Sequence, residues 1–308
     1  MRNTFAEALY LSAIKNSKIS IVVADISIAG NMIKFQKKYP KRFINVGVSE
    51  MTMISLCAGM ALEGRRPFAY TIANFSLYRP FEMIRNDLCL QNLPVTVVGM
   101  GAGTVYSTLG STHLTQEDIS IARSIPNMNI ISPCDPLELE AAVNYCANIS
   151  SSPVYLRIGK TGEKIYTDNL KTKWKFGKIR KILKGNEICF LSHGSIIRKC
   201  FSVKDLLQKF QIKPSIYSVS TLKPIDKNSL KKILNKYKHI IVLEDHSEIG
   251  GLGEIVKVEA NNNNIQKKIT CFNLKDKFLN NYGSQDDLLN DHGISEIKIF
   301  KRILNLIK

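Results

Sequence analysis

Hydrophobic and polar positions along the first 160 residues alternate between the spacing of helices and that of strands. Apolar residues three or four apart predict helices over Phe5–Ile14 and Glu50–Glu63. Short apolar runs rich in β-branched residues predict strands at Ile19–Ala24, Pro67–Ile72, Val95–Val98, Asn129–Ser132 and Val154–Arg157. Strands separated by helices indicate a doubly wound, mainly parallel sheet, whose ligands bind beyond the carboxyl ends of the strands.

A second α/β pattern follows a polar, lysine-rich stretch without a clear period at residues 163–178. Its predicted elements are strands Ile188–Leu191, Ser215–Ser218 and Ile240–Leu243, and helices Arg198–Phe210, Lys227–Tyr237 and Ser295–Ile307. We therefore predict an α/β protein with two doubly wound α/β domains and mainly parallel sheets. The expected domains span residues 1–162 and 179–308, joined by a linker at 163–178.

The composition is that of an ordinary globular protein. Of the 308 residues, 44% are hydrophobic and 22% are charged, which excludes a disordered or fibrous chain. No apolar run approaches the roughly 18 residues of a membrane helix, and the N-terminal residues lack a secretory signal. The seven cysteines have no metal-ligand spacing. We expect a cytoplasmic protein with no membrane contact, reduced thiols and no metal held by this chain itself.

The net charge of +17 has three possible explanations. It could reflect nucleic-acid binding, a site for anionic substrates, or compositional drift toward lysine. The lysines are spread over the second half of the chain and form no recognition-helix pattern. We favour drift over an anionic ligand, and we expect no nucleic acid as a partner.

Three features carry candidate chemistry, and each has an ordinary structural explanation. Glu50 opens an apolar helix, where a carboxylate commonly serves only the helix dipole. Phe75, Tyr78 and Phe81 are spaced by three, as in a helix core or in an aromatic platform for a flat heterocycle. His113 follows a glycine-rich loop, a position suited to proton transfer but also to a structural histidine.

The order and spacing of six segments are more specific than any one of them. The segments are Val46–Glu50, Gly110–His113, Arg123–Met128, Ser220–Asp226, Glu244–His246 and Gly250–Gly253. Together they resemble motifs in the C-terminal half of transketolase and 1-deoxyxylulose-5-phosphate synthase, which are thiamine-diphosphate enzymes. The resemblance covers nearly the whole chain. It implies a pyrimidine-binding domain followed by a smaller C-terminal α/β domain.

The resemblance also implies roles for individual residues. Glu50 matches the glutamate that hydrogen-bonds the aminopyrimidine of the cofactor, a role that requires a carboxyl group able to stay protonated. His113 matches the histidine that reaches the reacting oxygen of the substrate, and Asp25 matches a position near the cofactor. The aromatic residues that would hold the pyrimidine are Phe75, Tyr78 and Phe81.

One family feature is absent from the sequence. Family members hold the diphosphate and Mg²⁺ through an earlier domain marked by a Gly-Asp-Gly motif, and this sequence contains no such motif. We therefore expect a split transketolase whose second chain supplies that motif. We also expect activity only in the two-chain complex, plausibly a heterotetramer.

Substrate positions depart from the transketolase pattern. Leu109, Gly101 and Ala29 stand where transketolase has polar substrate ligands. Arg157 and Lys160 end the last strand of the first domain, where they could bind an anion or serve a surface or interface. We expect transfer of a two-carbon ketol unit between sugars, but not the standard pentose-phosphate pair.

Two other functions remain compatible with these segments. The β subunit of a 2-oxo acid dehydrogenase E1 component has the same two domains and a separate partner chain. The Gly110–His113 and Arg123–Met128 segments favour the transketolase side. A non-catalytic assembly subunit is the other alternative, and it would need neither Glu50 nor His113.

Overall fold

The fold comes from a computed structural model that describes residues 1–28, 30–160 and 162–307. Its earlier elements are α1 (Arg2–Lys15), β1 (Ile19–Val23), α2 (Asn31–Lys38), β2 (Phe43–Asn45), α3 (Glu50–Leu62), β3 (Arg66–Ile72), α4 (Ala73–Leu77), α5 (Phe81–Met83), β4 (Thr96–Met100), α6 (Asp118–Ser124), β5 (Asn129–Ile131), α7 (Pro136–Asn148) and β6 (Val154–Ile158). A π-helix over Ile84–Leu90 continues α5, and short 3₁₀ turns cover Ser107–Leu109 and Ser111–His113.

The later part of the chain repeats the alternation of strands and helices. Its elements are β7 (Arg180–Leu183), β8 (Ile188–Ser192), α8 (Ile197–Gln208), β9 (Ser215–Ser218), β10 (Thr221–Lys223), α9 (Lys227–Lys236), β11 (His239–Ser247), α10 (Leu252–Asn262), β12 (Ile269–Leu274), α11 (Gln285–Asp291) and α12 (Glu296–Ile307). A further 3₁₀ turn at Gly194–Ile196 leads into α8.

The first sheet has seven strands in the order β10-β5-β6-β4-β3-β1-β2. All its pairings are parallel except β10 with β5. Strands β1, β4 and β6 are buried along their whole length, as expected for apolar, β-branched strands covered by helices on both faces. The parallel direction brings the loops after β1, β3, β4 and β6 to one edge of the sheet.

The second sheet has five strands in the order β12-β11-β8-β9-β7, with only β7 antiparallel. The chain leaves β8 toward β9 on one side and leaves β11 toward β12 on the other. Doubly wound sheets bind ligands in the crevice where connections diverge in this way, at the carboxyl ends of the strands. In this sheet that crevice lies between β8 and β11.

The predicted fold class is confirmed, since both units are α/β with mostly parallel sheets. The sequence analysis did not anticipate β10, which leaves the second half of the chain to pair with β5. A three-residue strand has no periodicity to detect, because its pairing depends on the docking of two distant segments. Helix α7 was also overlooked, although Asp135 caps its N-terminus and Pro136 stands at its first turn.

The segment 163–178 contains no helix or strand, yet it is packed against both units. The Trp174 indole donates a hydrogen bond to Oγ of Ser220 at 2.8 Å. The Phe176 ring stacks on Tyr145 with 4.4 Å between centroids. The segment is thus fixed to its neighbours by aromatic contacts along its length.

Two searches of the described residues gave negative results. In the part of the chain with assigned structure, no helix is both long and apolar enough to cross a bilayer. Within residues 1–28, 30–160 and 162–307, no three His, Cys, Asp or Glu side chains gather as a metal site would require.

Candidate active site

A cavity of about 390 Å³ lies at the carboxyl edge of the first sheet. Its walls come from the loop after β1, the start of α3, the region after β3 and the end of β4. The lining residues are Arg2, Ala24, Asp25, Ile26, Ser27, Val48, Glu50, Thr71, Ile72, Phe75, Arg79, Met100 and Tyr106. Three of the predicted site residues, Asp25, Glu50 and Phe75, therefore share one cavity.

The turn before α3 brings Glu50 into this cavity. Gly47 adopts a left-handed conformation with φ of +71°, which favours glycine. The Oδ1 atom of Asn45 accepts hydrogen bonds from the backbone N–H of Gly47 at 3.0 Å and of Asp25 at 3.1 Å. Asn45 thus ties the end of β1 to the start of α3. It positions both carboxylates, a role that the sequence pattern does not reveal.

Glu50 is only 5% exposed, and its Oε1 atom accepts a hydrogen bond from Nη1 of Arg79 at 2.8 Å. The Arg79 guanidinium also lies over the Phe75 ring, 4.1 Å from the centroid. In the sequence, Arg79 stands out only as part of an Arg-Pro step that interrupts a helix. The structure shows it in contact with two of the predicted cofactor residues.

The three predicted aromatic residues do not lie on one face. Helix α4 ends at Leu77 and α5 begins at Phe81, because Pro80 interrupts the regular helix. Phe75 lines the cavity, whereas Tyr78 and Phe81 pack against the apolar core of the other face. Burial, together with the nearby charge of Asp118, raises the pKa of Tyr78. The structure therefore brings one aromatic ring of the three to the cavity.

His113 lies beyond Phe75. The two rings are edge to face, with 5.3 Å between centroids. The Nδ1 atom of His113 is 3.0 Å from the hydroxyl of Thr112, which orients the imidazole. A ligand stacked near Phe75 could thus extend toward His113, which places the two predicted catalytic side chains, Glu50 and His113, on opposite sides of one ring.

The predicted anion ligands separate in the structure. The Lys160 ammonium lies 4.7 Å from the centroid of Tyr106, a residue of the cavity wall. Arg2 lines the same cavity, and its backbone N–H donates to the Lys160 carbonyl at 2.9 Å. The sequence analysis missed Arg2, since no pattern shows that the start of α1 docks beside residue 160.

Arg157 instead lies buried between the two units. Its Nε atom donates to Oδ2 of Asp118 at 2.8 Å, and Nη2 donates to the backbone carbonyl of Asp245 at 2.8 Å. Asp118 begins α6, whereas Asp245 belongs to β11. Arg157 thereby reaches the crevice between β8 and β11, and this contact favours the interface role among those considered for it.

Charge compensation keeps this buried cluster ionised. Burial alone would raise the pKa of Asp118, but Arg157 and His246, with the Tyr155 hydroxyl, outweigh it and hold that pKa below its ordinary value. Burial alone would lower the pKa of Arg157, and the charges of Asp118 and Asp245 raise it instead. Both residues are therefore charged at neutral pH.

The glycine-rich segment after β11 serves the same interface. The Glu244 carboxylate accepts hydrogen bonds from the backbone N–H of Leu252 at 2.7 Å and Gly253 at 2.9 Å, at the start of α10. A Cβ on Gly251 would collide with this carboxylate. The segment thus needs glycine for close packing against Glu244.

The three substrate positions that depart from the transketolase pattern have different outcomes. Leu109 is 46% exposed and does not line the cavity. Gly101 has φ of +68°, and a Cβ there would collide with the Tyr106 ring, which occupies that space. Ala29 lies outside the described residues.

The cavity residues fit the aminopyrimidine of thiamine diphosphate. The Arg79 guanidinium is a planar group that stacks on Phe75 and donates an N–H to Glu50. An aminopyrimidine is also planar, and it would make these two kinds of contact with the same side chains. Glu50 and Phe75 would hold its pyrimidine, with Asp25 nearby.

Comparisons with known proteins cover nearly the whole chain. The family model described as transketolase, pyrimidine binding domain, matches residues 1–162. The model described as transketolase, C-terminal domain, matches residues 177–299. These matches confirm the resemblance that the six sequence segments indicate.

Individual relatives divide into short and long proteins. A Methanocaldococcus jannaschii protein named as a transketolase C-terminal section is 31% identical, over 100% of this chain and 96% of its own. A Phocaeicola vulgatus protein named as one of the subunits of apulose-4-phosphate transketolase is 26% identical, over 100% and 97%. For 1-deoxy-D-xylulose-5-phosphate synthase of Clostridium tetani the identity is 30%, over 98% of this chain and 48% of the enzyme, so the chain spans about half of that relative.

A solved structure of similar length has the same fold. It is described as a split-gene transketolase in an inactive β4 tetramer. The TM-score is 0.89 at 27% sequence identity, covering 99% of this chain and 97% of that one. The two family models, the relatives and the structural match agree along the sequence, and the chain belongs to the transketolase family.

Proposed function

We propose that this chain is the C-terminal subunit of a two-chain, thiamine-diphosphate-dependent enzyme that transfers a two-carbon ketol unit between sugars. The observation that carries the proposal is the buried Glu50 carboxylate facing the Phe75 ring across one cavity. In this proposal residues 1–162 bind the pyrimidine, residues 163–178 connect, and residues 179–308 form the C-terminal domain.

A partner chain completes the proposed enzyme. It would carry the Gly-Asp-Gly motif, hold Mg²⁺ and the diphosphate, and join this chain in a heterotetramer. The Phocaeicola vulgatus relative is named as one of several subunits, which supports a two-chain organisation. The structural relative is described as inactive as a tetramer of β chains alone, which supports activity only with the partner.

When bound, thiamine diphosphate supplies a thiazolium carbon that acts as a nucleophile toward a ketose carbonyl. Glu50 exchanges a proton with the pyrimidine nitrogen that it contacts. Phe75 orients the pyrimidine by stacking. His113, on the far side of Phe75, donates a hydrogen bond or a proton to the substrate oxygen that becomes charged.

Calorimetric titration of thiamine diphosphate with Mg²⁺ tests this function. We expect heat of binding only when the chain is mixed with its Gly-Asp-Gly partner, because this chain supplies the pyrimidine half of the site. Tight binding by this chain alone would contradict the split site. No binding in the mixture would contradict the cofactor assignment and favour a non-catalytic assembly subunit.

We further propose that the sugar carries an anionic group bound at the Arg2 end of the cavity. Arg2 and Lys160 are adjacent there and are joined through a backbone hydrogen bond. The relatives from Clostridium tetani and Phocaeicola vulgatus have names that specify a sugar phosphate. Because Leu109 and Gly101 lack polar side chains, the standard pentose-phosphate pair is disfavoured.

Substitution of Lys160 by methionine should raise the KM for a phosphorylated sugar about tenfold and leave kcat nearly unchanged, because one charge-assisted contact is lost. Steady-state kinetics of the two-chain complex would measure both values. The control is Lys171→Met, which removes the same charge from an exposed position on segment 163–178. An unchanged KM for Lys160→Met would assign Lys160 to the surface or an interface.

A further inference from the structure

Arg79 is bound to the cavity by contacts of unequal exposure. Its partner Glu50 is 5% exposed, whereas the Arg79 side chain is 48% exposed. The guanidinium reaches Glu50 from the turn between α4 and α5 and covers the Phe75 face. Arg79 thus holds the buried carboxylate from the solvent side, through a long and flexible side chain.

Arg79 and an aminopyrimidine need the same two surfaces. The N–H of Arg79 uses Oε1 of Glu50, and the plane of its guanidinium uses the face of Phe75. A stacked pyrimidine hydrogen-bonded to Glu50 would overlap the guanidinium, since two planar groups cannot lie on the same face of one ring. Cofactor binding therefore requires Arg79 to leave.

We propose that Arg79 is an internal competitor that occupies the pyrimidine site of the cofactor-free chain and is displaced when thiamine diphosphate binds. The inference rests on the proposed function and concerns the regulation of the same site. Exposed ion pairs are weak, and half of the Arg79 side chain is exposed, so displacement costs little free energy. While Arg79 is bound, only a fraction of the molecules is competent to bind the cofactor, which lowers the apparent affinity by that fraction.

The experiment compares thiamine diphosphate affinity, with Mg²⁺ present, in two-chain complexes containing wild-type or Arg79→Met chains. We expect the variant to bind about fivefold more tightly, the upper range for loss of a competing exposed pair. The gain should appear in the association rate, because the competent fraction rises while the contacts of the bound cofactor are unchanged. The matched control is Arg65→Met, an exposed arginine that donates to the Ser17 carbonyl instead.

The outcomes separate this inference from the proposed function. Equal or weaker binding by Arg79→Met, with the wild-type complex binding normally, would overturn the competitor role and leave the function standing. Weaker binding in particular would make Arg79 a ligand of the cofactor. If the wild-type complex binds no thiamine diphosphate, the proposed function fails and the inference fails with it.

Discussion

Replacement of Glu50 by glutamine should lower kcat of the two-chain complex about a thousandfold, within the range expected for loss of a positioned proton-transfer group. The amide has the shape of the carboxyl group but cannot exchange a proton with the pyrimidine. Stability should change little by comparison, because Glu50 loses only a half-exposed partner in Arg79. Turnover with a ketose donor and urea unfolding of the same preparation would measure the two effects.

A control separates the site from its surroundings. Glu82→Gln changes a glutamate on α5, close in sequence to the same turn but outside the cavity lining. Its turnover should match the wild-type value. Turnover of Glu50→Gln within tenfold of wild type would remove Glu50 from the catalytic assignment, whatever the cofactor affinity shows.

Replacement of Arg157 by glutamine should lower the free energy of unfolding by about 3 kcal/mol, because it leaves the buried Asp118 carboxylate without its main counter-charge. Asp118 is fully buried and accepts from Nε of Arg157 at 2.8 Å. Urea unfolding at pH 7 would measure the loss. Lys178→Met is the control: Lys178 is 60% exposed and lies 3.9 Å from Asp226, so its effect should stay below about 1 kcal/mol.

The same pair makes the stability depend on pH with a definite sign. The pKa of Asp118 lies below its ordinary value of 3.8 in the native chain. The carboxylate therefore contributes stability that is present above pH 3.8 and is lost as the pH falls through the lower native pKa. The difference between wild type and Arg157→Gln should shrink in that acid range. A difference independent of pH would contradict the ion-pair explanation.

Local patterns in the sequence were sufficient for the α/β class and for part of the cavity. Asp25 follows a recognisable strand, and Glu50 opens a recognisable apolar helix, so chain direction alone brings both to the carboxyl edge of the sheet. Phe75 follows from the next strand in the same way. These residues lie within a few positions of an element whose type the periodicity defines.

The remaining site depends on contacts between distant segments. Tyr78 and Phe81 follow the spacing of Phe75, but Pro80 turns them toward the core. Arg2 reaches the cavity only because α1 docks beside Lys160, at the other end of the first unit. Arg157 has the same residue type as an anion ligand, yet its partners come from α6 and β11. No periodicity of one segment contains that information.

Strand β10 bears on how this protein can be cut or recombined. The strand comes from the second half of the chain and covers β5 at the outer edge of the first sheet. A gene truncated within residues 163–178 would encode a first half with β5 exposed, and a bare strand edge is a template for aggregation. The two halves are therefore unsuited to exchange as independent modules, and gene fusion or fission in this chain is better tolerated outside them than between them.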